Sequence, residues 1–354
     1  EYELELVRKL DKSVTLADIN ALAKDIITNQ NQVVTLFGPA KEGFEMPANA
    51  TIEKNILEAQ TRKYAPYQEA KALGDSLVTN LPKSGSILSE RSYKYGYTEL
   101  TLSNGMKVYV RQTDFEPDEV NLKLFSMGGK NLYPDADMPN LTYLMAGATI
   151  GGVGQYDDLA LEKMLAGKTA TVAPYIDDDT EGMTGTSNVK DTETLLELVY
   201  LYFTQPRKDP QAFKSLMEQQ EAFLTNAHVN PMLAYNDTLH KVAYGTDRLA
   251  SMDKERLKKV SYDRIMQIYK ERFANAADFK LILTGNINLD KLRPLLCRYM
   301  AVLPSNNRTE SIGTHGARLV DGKKTYIFHK KQATPTAITS IVIKGKMEYS
   351  NRNE

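Results

Sequence analysis

The amino-acid sequence predicts an α+β fold in which helices cover one face of an antiparallel sheet. Three features indicate this class. Strands joined by a hairpin come first, amphipathic helices follow, and a further strand comes last. In addition, two widely separated stretches, Val14–Gly38 and Val260–Gly285, repeat one order of amphipathic helix, polar break and apolar run ending in Gly. A parallel doubly wound fold would alternate strand and helix more strictly, so the pattern favours duplicated α+β domains.

Residues 1–40 contain the first copy of this repeated unit. Ile19 and Leu22 occupy the helix positions that Ile265 and Ile268 occupy in the second copy. In each copy the apolar run after the polar break predicts a strand. The alternative is a chance similarity between two helix-strand units.

Residues 41–94 predict an extended connector. Proline and glycine recur here, and only a short helical piece, IEKNILEAQTRK, interrupts them. Such a composition supports little core of its own and is typical of a boundary between domains.

Residues 95–305 contain the predicted sheet and its helices. Asn104-Gly105, in the middle of TELTLSNGMKVYVRQT, predicts a hairpin because both residues tolerate a positive φ angle. VNLKLFSMGG predicts the next strand, and TATVAPYID with EGMTGTSNV predicts another pair. Helices are expected on both sides of the GGVG turn between 139 and 167, and then at 191–204 and 210–227. The second copy of the repeated unit supplies the last helix and strand.

Residues 306–354 predict a polar linker, SNNRTESIGTHGAR, and then the first strands of another domain, KTYIFHK and AITSIVIKG. The sequence opens as if within a helix and closes on a helix start at Ser350 or Asn351. We therefore expect it to be a fragment of a longer protein.

Composition restricts the possible partners. A hydrophobic content of 42% and a charged content of 25% are typical of a globular protein with two or more cores. A net charge of −1 without a basic run argues against a nucleic-acid partner. No apolar stretch reaches the roughly 18 residues that a membrane span needs. Cys297, the single cysteine, excludes an internal disulfide, and its neighbours predict a buried, unreactive thiol on a helix.

Four blocks of the sequence carry a family resemblance. They are LSNGMKVYV, LFSMGGKN, EKMLAGKTATVAPYIDDDTEGMTGTS and FANAADFKLILTGNINLDKLRPLLCRYMAVLP. In this order and spacing they resemble an insulinase/pitrilysin-type zinc metallopeptidase, an inverzincin whose clamshell contains four related domains. The resemblance implies that residues 1–40 end the second domain and 41–94 join the two halves. It also implies that 95–305 form a third, non-catalytic domain and that 306–354 are a linker and the start of the fourth.

The resemblance also bears on the active site. Catalysis in this family uses a zinc ion on an inverted H-x-x-E-H helix motif with a distant Glu as third ligand. Tyr143, Ala146 and Gly147 stand where the motif His, Glu and His stand in active domains. Glu218 and Glu221 lie near the expected third ligand, although a solvated helix face is the favoured interpretation. We therefore expect no catalytic residue and no metal ligand in this segment, and a zinc ion in the first domain of the longer protein.

Other candidate sites have simpler explanations. His228 and His240 flank a proline and could share a metal only if the chain folded back, so surface or capping roles are favoured. The acidic run from Asp177 to Glu181 lacks the spacing of a calcium loop and predicts a solvated turn. The glycines of residues 151–154 lack the full spacing of a phosphate loop and predict a turn between helices. The sequence does not identify substrate-binding residues.

These observations lead to one functional hypothesis and one alternative. The hypothesis is a non-catalytic segment that forms a wall of the substrate chamber and holds peptides or unfolded proteins against the catalytic N-terminal half. The connector would act as the hinge between the halves. The alternative is a scaffold with the same fold and no proteolytic activity. An independent enzyme is disfavoured because no nucleophile-base pair is evident. The resemblance to bacterial members implies a soluble protein in the periplasm or exported.

Overall fold

A computed structural model of the chain describes residues 1–26, 30–38, 43–65, 76–227, 231–306, 308–330 and 336–345. The chain divides into two compact units, Glu1–Glu69 and Ala70–Glu354. The division falls inside the stretch 41–94, which the sequence predicts to be a connector. The finer assignment of domains stays a prediction.

The first unit contains helices α1 (Tyr2–Ser13), α2 (Leu16–Ile26) and α3 (Asn49–Thr61), and none of these three has a buried residue. The strand predicted after α2 is wrong, because residues 32–38 form no strand. Val33 and Phe37 are 90% and 89% exposed. A strand satisfies its backbone N–H and C=O groups only through a paired neighbour, and the described part of this unit offers none.

The second unit is built on a mixed sheet. Seven strands within the described residues lie in the order β1-β2-β3-β7-β4-β6-β5. Their bounds are β1 Ile87–Ser92, β2 Thr98–Leu102, β3 Lys107–Gln112, β4 Val120–Met127, β5 Thr171–Ile176, β6 Thr180–Ser187 and β7 Lys280–Gly285.

Nine helices of the described residues accompany this sheet. They are α4 Met138–Thr142, α5 Leu144–Thr149, α6 Asp158–Leu165, α7 Thr192–Thr204, α8 Pro210–Ala227, α9 Pro231–Tyr244, α10 Lys254–Leu257, α11 Tyr262–Arg272 and α12 Leu289–Leu295. Short polar side chains start several of them. The carboxylate of Asp253 accepts from Arg256 N–H, and Ser261 Oγ accepts from Arg264 N–H, so each satisfies a donor that the helix leaves free.

The observed strand pairing contains the predicted hairpins and differs from the predicted antiparallel sheet in the position of one strand. β2 and β3 pair antiparallel across Asn104-Gly105, where Gly105 has φ +90°, and β5 pairs antiparallel with β6. The difference is β7, which lies between β3 and β4, parallel to β3 and antiparallel to β4. A long helical excursion brings the chain back to the sheet at that point, so β3 and β4 are neighbours in sequence but not in the sheet.

The helices cover one face of the sheet, as predicted. On that face Leu100, Val108, Leu124 and Leu281 are completely buried. α7 and α11 supply the opposing apolar side chains, and every residue of α7 from Thr194 to Leu201 is buried. The α+β class with helices on one face is therefore confirmed.

The end of the predicted connector belongs to the sheet. β1 pairs antiparallel with β2, although it lies before residue 94. Leu77 and Val78 are also buried in the core. β1 is an edge strand with exposed residues at five of its six positions, so it lacks an apolar alternation and the predicted start of the sheet at residue 95 is too late.

The strands predicted near the C-terminus are not formed. KTYIFHK and AITSIVIKG have no strand pairing within residues 308–330 and 336–345. Ile327, Ile341 and Ile343 are 78%, 84% and 85% exposed. As in the first unit, the alternating apolar residues are present but no described partner strand accompanies them.

Candidate functional site

The segment that corresponds to the inverted zinc motif lies in α4 and α5. The two helices are separated at Tyr143, whose backbone (φ −101°, ψ 11°) is not helical. Gly147 N–H still donates to Tyr143 C=O at 2.8 Å, so the two positions lie one turn apart. The local geometry thus keeps the spacing that two metal ligands would need, but a phenol and a glycine stand in place of the two imidazoles.

Apolar and neutral side chains pack around this segment. Tyr143 is 8% exposed, and its hydroxyl donates to Gln220 Oε1 of α8 at 3.2 Å. Burial raises the pKa of the Tyr143 phenol. A Cβ at Gly147 would lie 3.1 Å from side-chain atoms of both Ile265 and Phe213. A histidine at this position would therefore crowd both side chains.

α8 also carries the candidates for the third ligand. Gln220 contacts Tyr143, so α8 does lie against the motif-equivalent segment. Glu218 and Glu221, however, are exposed, and Glu218 pairs with Lys214 at 3.8 Å one turn away. No group of three or more His, Cys, Asp or Glu side chains among the described residues is arranged to hold a metal ion. The residues at this position do not fit zinc.

The remaining candidates are dispersed. His228 lies outside the described residues. His240 is half-buried on α9 and contacts the ring of Tyr244 edge-on, with centroids 6.2 Å apart. Cys297 is half-buried rather than buried, in a single π-helical turn, Leu296–Met300. The glycines of residues 151–154 form a turn between α5 and α6, as predicted.

The acidic run contains one error of prediction. Asp177, Asp178 and Asp179 form the exposed turn between β5 and β6. Their carbonyls accept from the N–H groups of residues 128, 130 and 131. Glu181, in contrast, is only 1% exposed. It lies on the helix-covered face of β6. The glycines of β6 interrupt the alternation of apolar and polar residues, so the sequence did not indicate which side chains of this strand are buried.

Glu181 belongs to a buried cluster of charges. Its Oε2 accepts from Gly129 N–H at 2.6 Å, and its Oε1 lies 3.7 Å from Arg272 Nη1. Arg272 also donates to Glu310 through two nitrogens, at 2.5 and 2.9 Å, and its Nε donates to Tyr133 Oη at 2.9 Å. Arg272 therefore attaches the segment after residue 306 to the sheet unit.

Burial raises the pKa of Glu181 to about 7, because it disfavours the charged carboxylate. The N–H of Gly129 and the charge of Arg272 oppose this effect without cancelling it. Glu310 contributes in the other direction as a second carboxylate facing the same guanidinium.

A second buried arginine holds the loop between β4 and α4. Arg248 is 4% exposed and donates to the carbonyls of Lys130 and Tyr133 at 2.9 and 3.0 Å. It also donates to Asn131 Oδ1 at 3.1 Å and lies 3.2 Å from Asp135 Oδ1. The backbone that leads into the motif-equivalent segment is therefore held by Arg248, from the loop after α9.

A third cluster fixes the chain where it enters the second unit. Glu197 of α7 is 2% exposed and accepts from the hydroxyl of Ser76, from Leu77 N–H at 3.3 Å and from Tyr299 Oη at 3.2 Å. None of the three clusters was predicted from the sequence. The available signal was Glu197, a charged residue within the otherwise apolar helix α7. Arg248 lies in a loop, where no such pattern marks it.

No helix in the described part of the chain has the length and apolar character needed to cross a membrane.

Comparison with known proteins agrees with the resemblance noted in the sequence. Residues 259–354 match the family model described as the peptidase M16 inactive domain. The chain is 25% identical over 313 residues to Zinc protease PQQL-like of Arabidopsis thaliana, covering 86% of this chain and 30% of that protein. It is 24% identical over 311 residues to Probable zinc protease PqqL of Haemophilus influenzae, covering 86% of this chain and 33% of that protein.

A solved structure has the same fold. The periplasmic protease PqqL from Escherichia coli matches with a TM-score of 0.61 at 19% identity, over 77% of this chain and 30% of that one. The chain therefore spans about a third of the length of the relatives that it matches.

Proposed function

We propose that this chain, which contains an inactive domain of the peptidase M16 type, forms the non-catalytic wall of a peptide-holding chamber in a longer zinc peptidase. The zinc ion and the bond cleavage belong to the N-terminal half of that protein. This segment contains and orients the substrate, which is a peptide or an unfolded protein. The location that goes with this function is the periplasm or an exported compartment.

One observation carries the proposal. The position of the zinc motif is occupied by Tyr143, Ala146 and Gly147, and Ile265 and Phe213 fill the space beside Gly147. The fold around the segment is nevertheless complete, with α5 packed on α11 and Gln220 of α8 in contact with Tyr143. A domain that keeps its architecture while lacking metal ligands supports a role in substrate containment.

The connector supports movement of the halves around a substrate. Its end is attached firmly, through Glu197 and the buried side chains of Leu77 and Val78. This attachment keeps the end of the connector with the sheet unit, so the sheet unit is expected to move as one body. Cross-linking the two halves in the closed state is expected to abolish turnover in the longer protein.

Metal analysis and complementation test the proposal together. The purified chain is expected to contain no stoichiometric zinc and to leave a quenched peptide mixture uncleaved. The longer protein without this segment is expected to lose most of its cleavage activity, and addition of the chain in trans is expected to restore part of it. Stoichiometric zinc with cleavage by the chain alone would contradict the proposal. Full activity of the shortened protein would contradict the containment role.

A further inference from the structure

The sheet of the second unit has one face without helices, and the charges on that face are unevenly distributed. Cross-strand partners point to the same side of a sheet, and residues alternate sides along each strand. The observed registers therefore identify the charged residues of the helix-free face. Five are cations and one is a carboxylate: Arg91, Lys107, Arg111, Lys123, Lys280 and Glu99.

The single carboxylate is already neutralised. Glu99 is 5% exposed and accepts from Arg91, with Nη2 and Oε1 2.7 Å apart. Arg91 is therefore the cation of this face that Glu99 binds directly. Lys107, Lys123 and Lys280 are exposed, and none of them forms an ion pair with a residue in the described part of the chain. This face thus carries an excess of positive charge on a chain whose net charge is −1.

Two of these lysines are directly opposed. Lys107 of β3 is the register partner of Lys280 of β7. The two strands are neighbours about 4.8 Å apart, so the two ammonium groups can approach one anion together. An anion bound between them would reduce the repulsion between their charges.

An aromatic ring lies among the lysines. Phe125 of β4 is the register partner of Lys280, and its ring centroid lies 5.9 Å from Lys280 Nζ and 6.0 Å from Lys123 Nζ. Phe125, Ile282 and Tyr109 are half-buried, so apolar surface is available between the charges. The mixture suits a ligand that carries both carboxylates and apolar groups.

The dimensions suit an extended polypeptide. Neighbouring strands are about 4.8 Å apart, so β3 and β4, with β7 between them, are separated by about 10 Å. An extended peptide covers that distance in about three residues. At one end of the face, Glu116 and Glu119 line a cavity of about 270 Å³ together with Arg111. Their negative charges would repel an acidic ligand there, so the region that attracts one is limited to the lysines.

We propose that the helix-free face of this sheet binds an acidic segment of an extended polypeptide, with the carboxylates of that segment at Lys107, Lys123 and Lys280. This inference deepens the proposed function, since it names the chemistry of the substrate that the wall would hold. It concerns binding by this chain alone, however, and its test does not depend on cleavage.

The test measures binding of a fluorescent peptide to the 354-residue chain by anisotropy. The probe alternates Glu with Gly and Tyr, and the comparison peptide has Gln in place of every Glu. We expect the acidic peptide to bind and its affinity to fall as salt is added, because exposed charges are screened. The triple variant K107Q/K123Q/K280Q is expected to bind at least tenfold more weakly, equivalent to about 1.4 kcal/mol.

A matched variant distinguishes the effect of losing lysines from this face from the effect of a lower net charge. K259Q/K270Q/K291Q removes three exposed lysines outside the strands and is expected to retain wild-type affinity. Circular dichroism checks that both variants are folded. Equal losses in the two variants, or equal binding of the Gln peptide, would overturn the proposal. So would tighter binding of a single-stranded oligonucleotide, or a dimer seen by sedimentation that only the strand variant dissociates. Full cleavage activity of the longer protein without this segment, together with binding of the acidic peptide by this chain, would instead contradict the containment role alone.

Discussion

Replacing the buried carboxylate of Glu181 with an amide is expected to change how stability depends on pH. Glu181→Gln keeps an oxygen that can accept from Gly129 N–H and removes the charge that burial disfavours. In the native state the pKa of Glu181 is raised from 4.5 to about 7. Between these two values the native state binds more protons at this group than the unfolded state does, so stability falls as the pH rises.

The structure sets the size of this effect. One pKa unit corresponds to 1.36 kcal/mol, so the difference between 4.5 and about 7 corresponds to about 3 kcal/mol. Glu181 is 1% exposed, so solvent does not screen it substantially. The free energy of unfolding of the Gln variant, relative to that of wild type, is therefore expected to increase by about 3 kcal/mol as the pH rises from about 4.5 to about 8. Below the lower value the carboxyl is protonated in both states and contributes no pH dependence.

The assay is denaturant unfolding of wild type and variant at several pH values in this window. The chain has no tryptophan, so circular dichroism reports the transition, and hydrogen exchange at Gly129 N–H gives a local measure. Glu255→Gln, the same change on a side chain that is 79% exposed, is the control for amide substitution outside the buried cluster. A wild-type-to-variant difference that stays constant across the window would refute the reasoning.

Three further substitutions test the packing around the candidate site. Gly147→His is expected to lower the free energy of unfolding by about 2 kcal/mol, because its Cβ would crowd Ile265 and Phe213. Gly345→His is the control, because a Cβ there meets nothing within 4 Å. Equal stability of the two variants in denaturant titration would contradict this explanation. Arg248→Ala is expected to cost about 3 kcal/mol, because one buried and one partly buried carbonyl lose their donor. Partial recovery by Arg248→Lys, measured by thermal unfolding, would support that cause, and an unchanged melting temperature in the Ala variant would exclude it. Glu197→Ala is expected to speed hydrogen exchange at Leu77 N–H, which loses its acceptor, and unchanged protection there would show that the carboxylate does not hold this end of the connector.

The three buried clusters show the limits of sequence reasoning about this site. Glu181 was predicted to be solvated because it follows three aspartates, yet strand alternation turns it to the covered face of β6. Arg248 and Glu197 lie far in sequence from the groups they bind, so no local pattern pairs them. The absence of metal ligands at Tyr143, Ala146 and Gly147 needed only the sequence, whereas the packing of Ile265 and Phe213 beside Gly147 needed the structure.

The sequence by itself determined the features that depend on neighbours along the chain. The turn at Asn104-Gly105, the alternation in β4 and the amphipathic helices all follow from local backbone preference and side-chain period, and all are present. Tertiary structure decided which strands form at all. The apolar runs at 33–38 and 337–345 remain unpaired in the described chain, while β7, built from the same kind of run, lies between β3 and β4. The physical reason is that helices satisfy their backbone hydrogen bonds within one segment, whereas a strand depends on partners that arrive from elsewhere in the chain.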